Sequence, residues 1–175
     1  MKKIVLTFGL ISGAIVSVLM MVTMPFADRI GSTKAEILGY TTIILSALMI
    51  FFGIRSYREN ISGGRLTFLR GFAVGILIAL VSSACYVATW EVVYYKFLPD
   101  FADKYAAGMV SKAKAAGATP EKLQKVTAEA EHFKVMYNKP AYNIAMTFLE
   151  IFPVCLLVTL LSALLLRRKS LPQPA

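Results

Sequence analysis

Four long apolar runs, each near the length needed to cross a bilayer, constrain this chain more than any other feature. A hydrocarbon core about 30 Å thick takes roughly 20 residues of helix, and the runs lie at about residues 4–24, 37–54, 70–97 and 141–166. Each has to be helical, because lipid offers no partner to a backbone NH or CO and an open strand would leave those groups unpaired. With 175 residues and 57% hydrophobic content, one membrane-embedded unit accounts for the whole chain. The expected fold class is all-α, a polytopic membrane protein with four transmembrane helices.

A formal charge of +9 would point a soluble protein toward nucleic acid. Here Lys2, Lys3, Arg55, Arg58, Arg65, Arg70, Arg167, Arg168 and Lys169 flank the apolar runs, the arrangement that holds helix ends on the cytoplasmic side. The lipid bilayer is therefore the expected partner and nucleic acid is not. The same cations are placed to touch anionic headgroups.

The first loop is nearly neutral, with Arg29 and Lys34 against Asp28 and Glu36, whereas the second sets Arg55, Arg58, Arg65 and Arg70 against Glu59 alone. Both termini are expected in the cytoplasm, with residues 25–36 outside, 55–70 inside and 98–139 outside. The opening Met1-Lys2-Lys3 imitates a secretory signal. Its apolar run is longer than the usual h-region of about 7–15 residues, and Pro25-Phe26-Ala27 is a poor cleavage site, so it is read as the first membrane helix.

Residues 98–139 read as a helical hairpin inserted between the third and fourth spans. Asp100 is placed to cap a first helix, with Asp103 in its first turn. Gly117 supplies the stop. Thr119-Pro120-Glu121 then gives an N-cap, an N1 proline and an early acid for a second helix. Leu123, Val126, Ala130, Phe133 and Tyr137 form an apolar stripe, matched on the first helix by Phe101, Tyr105, Met109 and Ala113. Such stripes pack on each other or on the membrane surface, or receive a protein partner in the bacterial periplasm.

Small residues recur at step four: Gly71, Gly75, Ala79 and Ser83 on the third span, Gly9, Gly13 and Ser17 on the first. They let another helix approach closely, within one chain or as the seam of a homodimer. Tyr86, Trp90, Tyr94, Tyr95 and Phe97 mark the outer end of the third span as an interfacial belt. Cys85 and Cys155 lie inside spans and read as packing residues rather than as a disulfide or a metal site.

Glu150 is the sharpest single signal, since a carboxylate in hydrocarbon is costly and is expected to face protein. Asn143 and Thr147 share its helical face, and Pro153 frees the carbonyl of Leu149 and kinks the helix beside the acid. Glu91 lies near the outer end of the third span, where water or Lys96 is expected to satisfy it. Together Glu150, Glu91, Asn143 and Thr147 form a candidate ion- or proton-binding set; the structural alternative is that Glu150 accepts hydrogen bonds from tyrosines or serines of neighbouring helices. His132, the lone histidine, points off the apolar stripe into solvent. No Ser-His-Asp set, phosphate-binding glycine loop or HExxH is present, and Ser62-Gly63-Gly64-Arg65 reads as a turn. No catalytic residue, metal or cofactor is expected.

Three strings occur together: Phe51-Phe52-Gly53-Ile54-Arg55-Ser56-Tyr57-Arg58, Trp90-Glu91-Val92-Val93-Tyr94-Tyr95 with Pro99-Asp100-Phe101, and Phe148-Leu149-Glu150-Ile151-Phe152-Pro153-Val154. In them the chain resembles the bacterial domain-of-unknown-function 4199 family. The resemblance runs from the first span to Arg167-Arg168-Lys169 and implies an inner-membrane location and four helices, with no activity, cofactor or assigned site. The reading that follows is a non-enzymatic membrane scaffold, or partner-binding protein, acting through its periplasmic hairpin. The competing class is a small proton- or cation-coupled transporter using Glu150 and Glu91 as a homodimer.

Overall fold

In a computed structural model, residues 1–24 and 32–168 are described. They form six helices: α1 Lys2–Thr23, α2 Ser32–Asn60, α3 Phe68–Phe97, α4 Phe101–Ala115, α5 Pro120–Tyr137 and α6 Pro140–Leu166. α1, α2 from Ile37, α3 and α6 are each long and apolar enough to cross a membrane. The second span, expected at 37–54, continues as helix to Asn60, because Arg55 and Glu59 pair at one-turn spacing, 3.0 Å apart, and support the last turns. The first-loop residues Pro25 to Gly31, including the doubtful cleavage site and two of its charges, lie outside the described residues, as does Lys169.

The chain divides into two compact units. The first comprises Met1–Thr89 and the chain from Phe148 onward; the second is Trp90–Thr147.

The first unit turns large apolar side chains outward and buries several hydroxyl groups among apolar ones. Leu6, Leu10, Val18, Ile44, Leu45, Leu48, Leu157 and Leu161 are exposed, while Ser12, Ser46, Ser82, Ser83 and Thr159 are fully buried. Water would drive the opposite arrangement. Hydrocarbon explains it, since lipid tails welcome leucine and keep hydroxyl groups between helices; Ser12, Ser46 and Ser82 find partners there, whereas Ser83 Oγ and Thr159 Oγ1 have none among the described residues. The chain is a multi-pass integral membrane protein.

Close approaches fix the helix directions in this unit. A Cβ built on Gly9 would lie 2.7 Å from Val81 Cβ, and one on Gly13 would lie 2.6 Å from Cys85 Cβ. Ser17 Oγ meets Thr89 Oγ1 at 2.7 Å. Residue numbers rise together, so α1 and α3 run parallel. Ser12 donates to the Ser46 carbonyl at 2.8 Å, and a Cβ on Gly53 would meet Phe8, which makes α1 and α2 antiparallel. On the other side of α3, Gly71 faces Ala163, Gly75 faces Thr159 and Tyr86 reaches Glu150, so α6 returns antiparallel. The four spans therefore alternate in direction.

Alternation brings Lys2, Lys3, Arg55, Arg58, Arg65, Arg70, Arg167 and Arg168 to one end of the unit. The turn after α2 closes there with Gly63 and Gly64 at φ of 58° and 79°, conformations open to glycine. Buried Leu66 then exchanges backbone hydrogen bonds with Arg168 at 3.2 and 2.9 Å. This small bridge ties the second loop to the end of α6.

Candidate functional site

The second unit is built from the ends of α3 and α6 together with the hairpin α4–α5. Gly117 turns between the two hairpin helices with φ +69°, and the Thr119 hydroxyl accepts from the Lys122 amide with Pro120 at the helix start. Asp100 sits at the N-cap of α4, but its side chain makes no capping hydrogen bond. Asp103 instead pairs with Lys134 of α5 at 2.6 Å, a surface clasp between the two helices. The guanidinium-free clasp holds the Lys134 ammonium above the ordinary lysine pKa, chiefly through its hydrogen bond to Asp103.

Aromatic rings fill the space between these elements. Trp90 meets Phe101 edge-on at 4.9 Å, Phe101 lies 5.9 Å from Tyr137, and Phe133 stands 4.8 Å from Tyr137 and 5.0 Å from Tyr105. Trp90, Tyr94 and Tyr137 are buried with Ala102, Ala106 and Ala130, the alanines letting α4 and α5 close on the rings. The interfacial belt expected from the sequence is thus corrected in part. Trp90 and Tyr94 belong to an internal core, and Tyr95 and Phe97 of that series remain exposed.

Polar tips of this core are satisfied by two asparagines. The Trp90 indole donates to Asn143 Oδ1 at 3.0 Å, which also accepts from Thr147 at 3.3 Å, while Asn143 Nδ2 donates to the Tyr137 carbonyl at 3.4 Å. Tyr94 donates to Asn138 Oδ1 at 2.7 Å, and Asn138 Nδ2 donates to the Lys134 carbonyl at 3.0 Å. Asn143 and Thr147, candidates for binding an ion, are engaged in holding the hairpin core together.

Glu150 takes the expected hydrogen bond from a tyrosine of a neighbouring helix but not the expected buried position. Buried positions on α6 run Asn143, Thr147, Ile151, Cys155, Thr159 and Ala163 at step four. Such a stripe advances about 40° around the helix at each step, so at the level of Ile151 it has turned past Glu150. The residue is exposed, and its Oε2 accepts from the Tyr86 hydroxyl of α3 at 3.3 Å. It lies on the rim of the first unit rather than inside it. α6 continues unbroken through Pro153.

A family model described as "Protein of unknown function (DUF4199)" matches residues 7–168, almost the whole chain. The chain belongs to that family. Neither the curated proteins nor the solved structures hold a match to it.

The polar groups of the hairpin core and Glu150 all fall within the DUF4199 region. Glu91 is half-buried there, and its Oε1 has no hydrogen-bond partner among the described residues, Lys96 included. His132 is exposed on α5. Cys85 and Cys155 are free thiols, the first packed over Gly13. Among the described residues no three His, Cys, Asp or Glu side chains gather as metal ligands would. The sequence reading missed the serine node, where Ser12 Oγ meets Ser82 Oγ at 2.8 Å besides donating to the Ser46 carbonyl. Its signal was present, since Ser12, Ser46 and Ser82 each interrupt an apolar run near its middle.

Proposed function

We propose that this DUF4199 protein is a non-enzymatic scaffold of the bacterial inner membrane, receiving a protein partner on its helical hairpin in the periplasm. The observation that carries the reading is the hydrogen-bonded aromatic core of Trp90–Thr147. A loop held only by its own entropy would be a poor platform, whereas rings locked by Asn138 and Asn143 present α4 and α5 in one arrangement, which lowers the ordering cost of binding. One face of α5 presents Pro120, Leu123, Gln124, Thr127, Ala128 and Glu131 as a shallow, open surface. It mixes apolar and polar side chains, as a surface that meets a partner helix does.

Orientation follows from charge. The cationic end formed by Lys2, Lys3, Arg55, Arg58, Arg65, Arg70, Arg167 and Arg168 faces the cytoplasm, which leaves both termini there and the hairpin outside. The experiment is a photoreactive residue at Thr127, irradiated in intact cells. A discrete protein adduct that excess purified native protein competes away agrees with the proposal. Crosslinking to lipid alone contradicts it.

Transport by Glu150 and Glu91 is the second reading, favoured only by the acid on α6. Loss of a pH-driven flux in vesicles on Glu150→Gln, with abundance unchanged, would establish it over the scaffold.

A further inference from the structure

The first and third spans use their glycine faces inside one chain: Gly9 and Gly13 take α3, while Gly71 and Gly75 take α6. Those faces are not open to a second copy. What remains outward on α6 is a stripe of Glu150, Pro153, Leu157, Leu161 and Leu164, all exposed and spaced three or four residues apart.

Glu150 lies sixteen residues before Leu166, the end of α6 beside the cationic residues. At about 1.5 Å per residue that is roughly 24 Å, just within the outer edge of a hydrocarbon layer about 30 Å thick counted from that end. Lipid tails give a carboxyl group nothing to bond. Pro153 adds a second polar atom on the same stretch, for it has no NH to offer the Leu149 carbonyl one turn earlier. The Tyr86 hydroxyl serves one carboxyl oxygen, and a carboxylic acid has one donor and further acceptor positions beyond that.

We propose that this stripe is the seam of a homodimer, in which Glu150 of each copy hydrogen-bonds across a two-fold axis to the Glu150 carboxyl or the freed Leu149 carbonyl of the other. A second copy is the occupant that the chemistry selects. It brings a donor and acceptors at the same depth in the membrane without further adjustment, and a two-fold interface pairs a surface with itself. Leu157, Leu161 and Leu164 give the apolar packing on one side of the polar pair. One polar position in an otherwise apolar seam sets the register of two helices.

The test uses the full chain reconstituted in phosphatidylcholine and phosphatidylglycerol vesicles, with dimer fraction read by energy transfer over a range of protein-to-lipid ratios. The native chain dimerises. Glu150→Gln, which keeps a donor and an acceptor, stays within about threefold of it, and Glu150→Leu weakens dimerisation about tenfold. Should Glu150→Leu misfold, a second measurement stands alone: in a chain with Cys85→Ser and Cys155→Ala, Leu157→Cys forms an oxidised dimer and Leu45→Cys, exposed on α2, does not. A monomeric native chain overturns the proposal. So do unchanged association of Glu150→Leu and oxidation of Leu45→Cys in preference to Leu157→Cys.

Discussion

The indole NH of Trp90 and the side-chain carbonyl of Asn143 meet at 3.0 Å, both residues nearly or wholly buried. This bond joins the end of the third span to the start of the fourth, and the hairpin core is assembled around it. Asn143→Ala removes the acceptor for both Trp90 and Thr147 and leaves two buried donors without it. The expected cost is about 1–3 kcal/mol, read as faster proteolysis at the hairpin with the spans still protected. Trp90→Phe removes the donor together with ring area, so its loss is of similar size or larger.

Gly13 and Gly75 set a second expectation. A Cβ on Gly13 would stand 2.6 Å from Cys85 Cβ, and one on Gly75 would stand 2.7 Å from Thr159 Cγ2. Both helices must shift to admit alanine. Gly13→Ala and Gly75→Ala each cost about 1–3 kcal/mol by overpacking, whereas Gly39→Ala, with open space around it, costs nothing by this route. Thermal stability in detergent separates the two outcomes.

The serine node gives a third. Ser12→Ala deletes a donor to the Ser46 carbonyl and a partner of Ser82. A double-mutant cycle between Ser12→Ala and Ser82→Ala should return a coupling of about 0.6 kcal/mol, the scale found for side-chain hydrogen bonds between membrane helices. A coupling indistinguishable from zero would mean that the two hydroxyl groups act separately.

Asp103 and Lys134 give a pH expectation. The Lys134 pKa is raised in the folded protein by Asp103, so the clasp contributes fully below the unfolded lysine pKa and its contribution is lost as pH rises through the folded value. Hairpin stability is therefore expected to fall on the alkaline side of the ordinary lysine range. Asp103→Asn removes that part of the fall, and salt weakens the clasp because both side chains are substantially exposed. Melting the native chain and the variant in parallel across alkaline pH gives the comparison.

The spans were legible because hydrocarbon imposes length and composition so strictly. The hairpin was legible from punctuation, with Gly117, Thr119 and Pro120 each tied to a backbone conformation that favours those residues. What the sequence did not settle was sidedness. Trp90 and Tyr95 are equally aromatic, and the choice between a lipid belt and an internal core depends on where α4 and α5 fold back. Glu150 shares an ideal helical face with Asn143 and Thr147, yet the buried stripe follows step four and winds away from it. A small angular drift, accumulated over two turns, moved the acid to the rim.

The most direct measurement of the account is labelling of single cysteines, in a chain freed of Cys85 and Cys155, by a membrane-impermeant maleimide added outside intact spheroplasts. Thr127→Cys on the hairpin should react, and Ser62→Cys in the turn beside the cationic end should react only after the membrane is opened. Equal labelling of both positions from outside would contradict a chain that spans the membrane with its arginine-rich end and its hairpin on opposite faces.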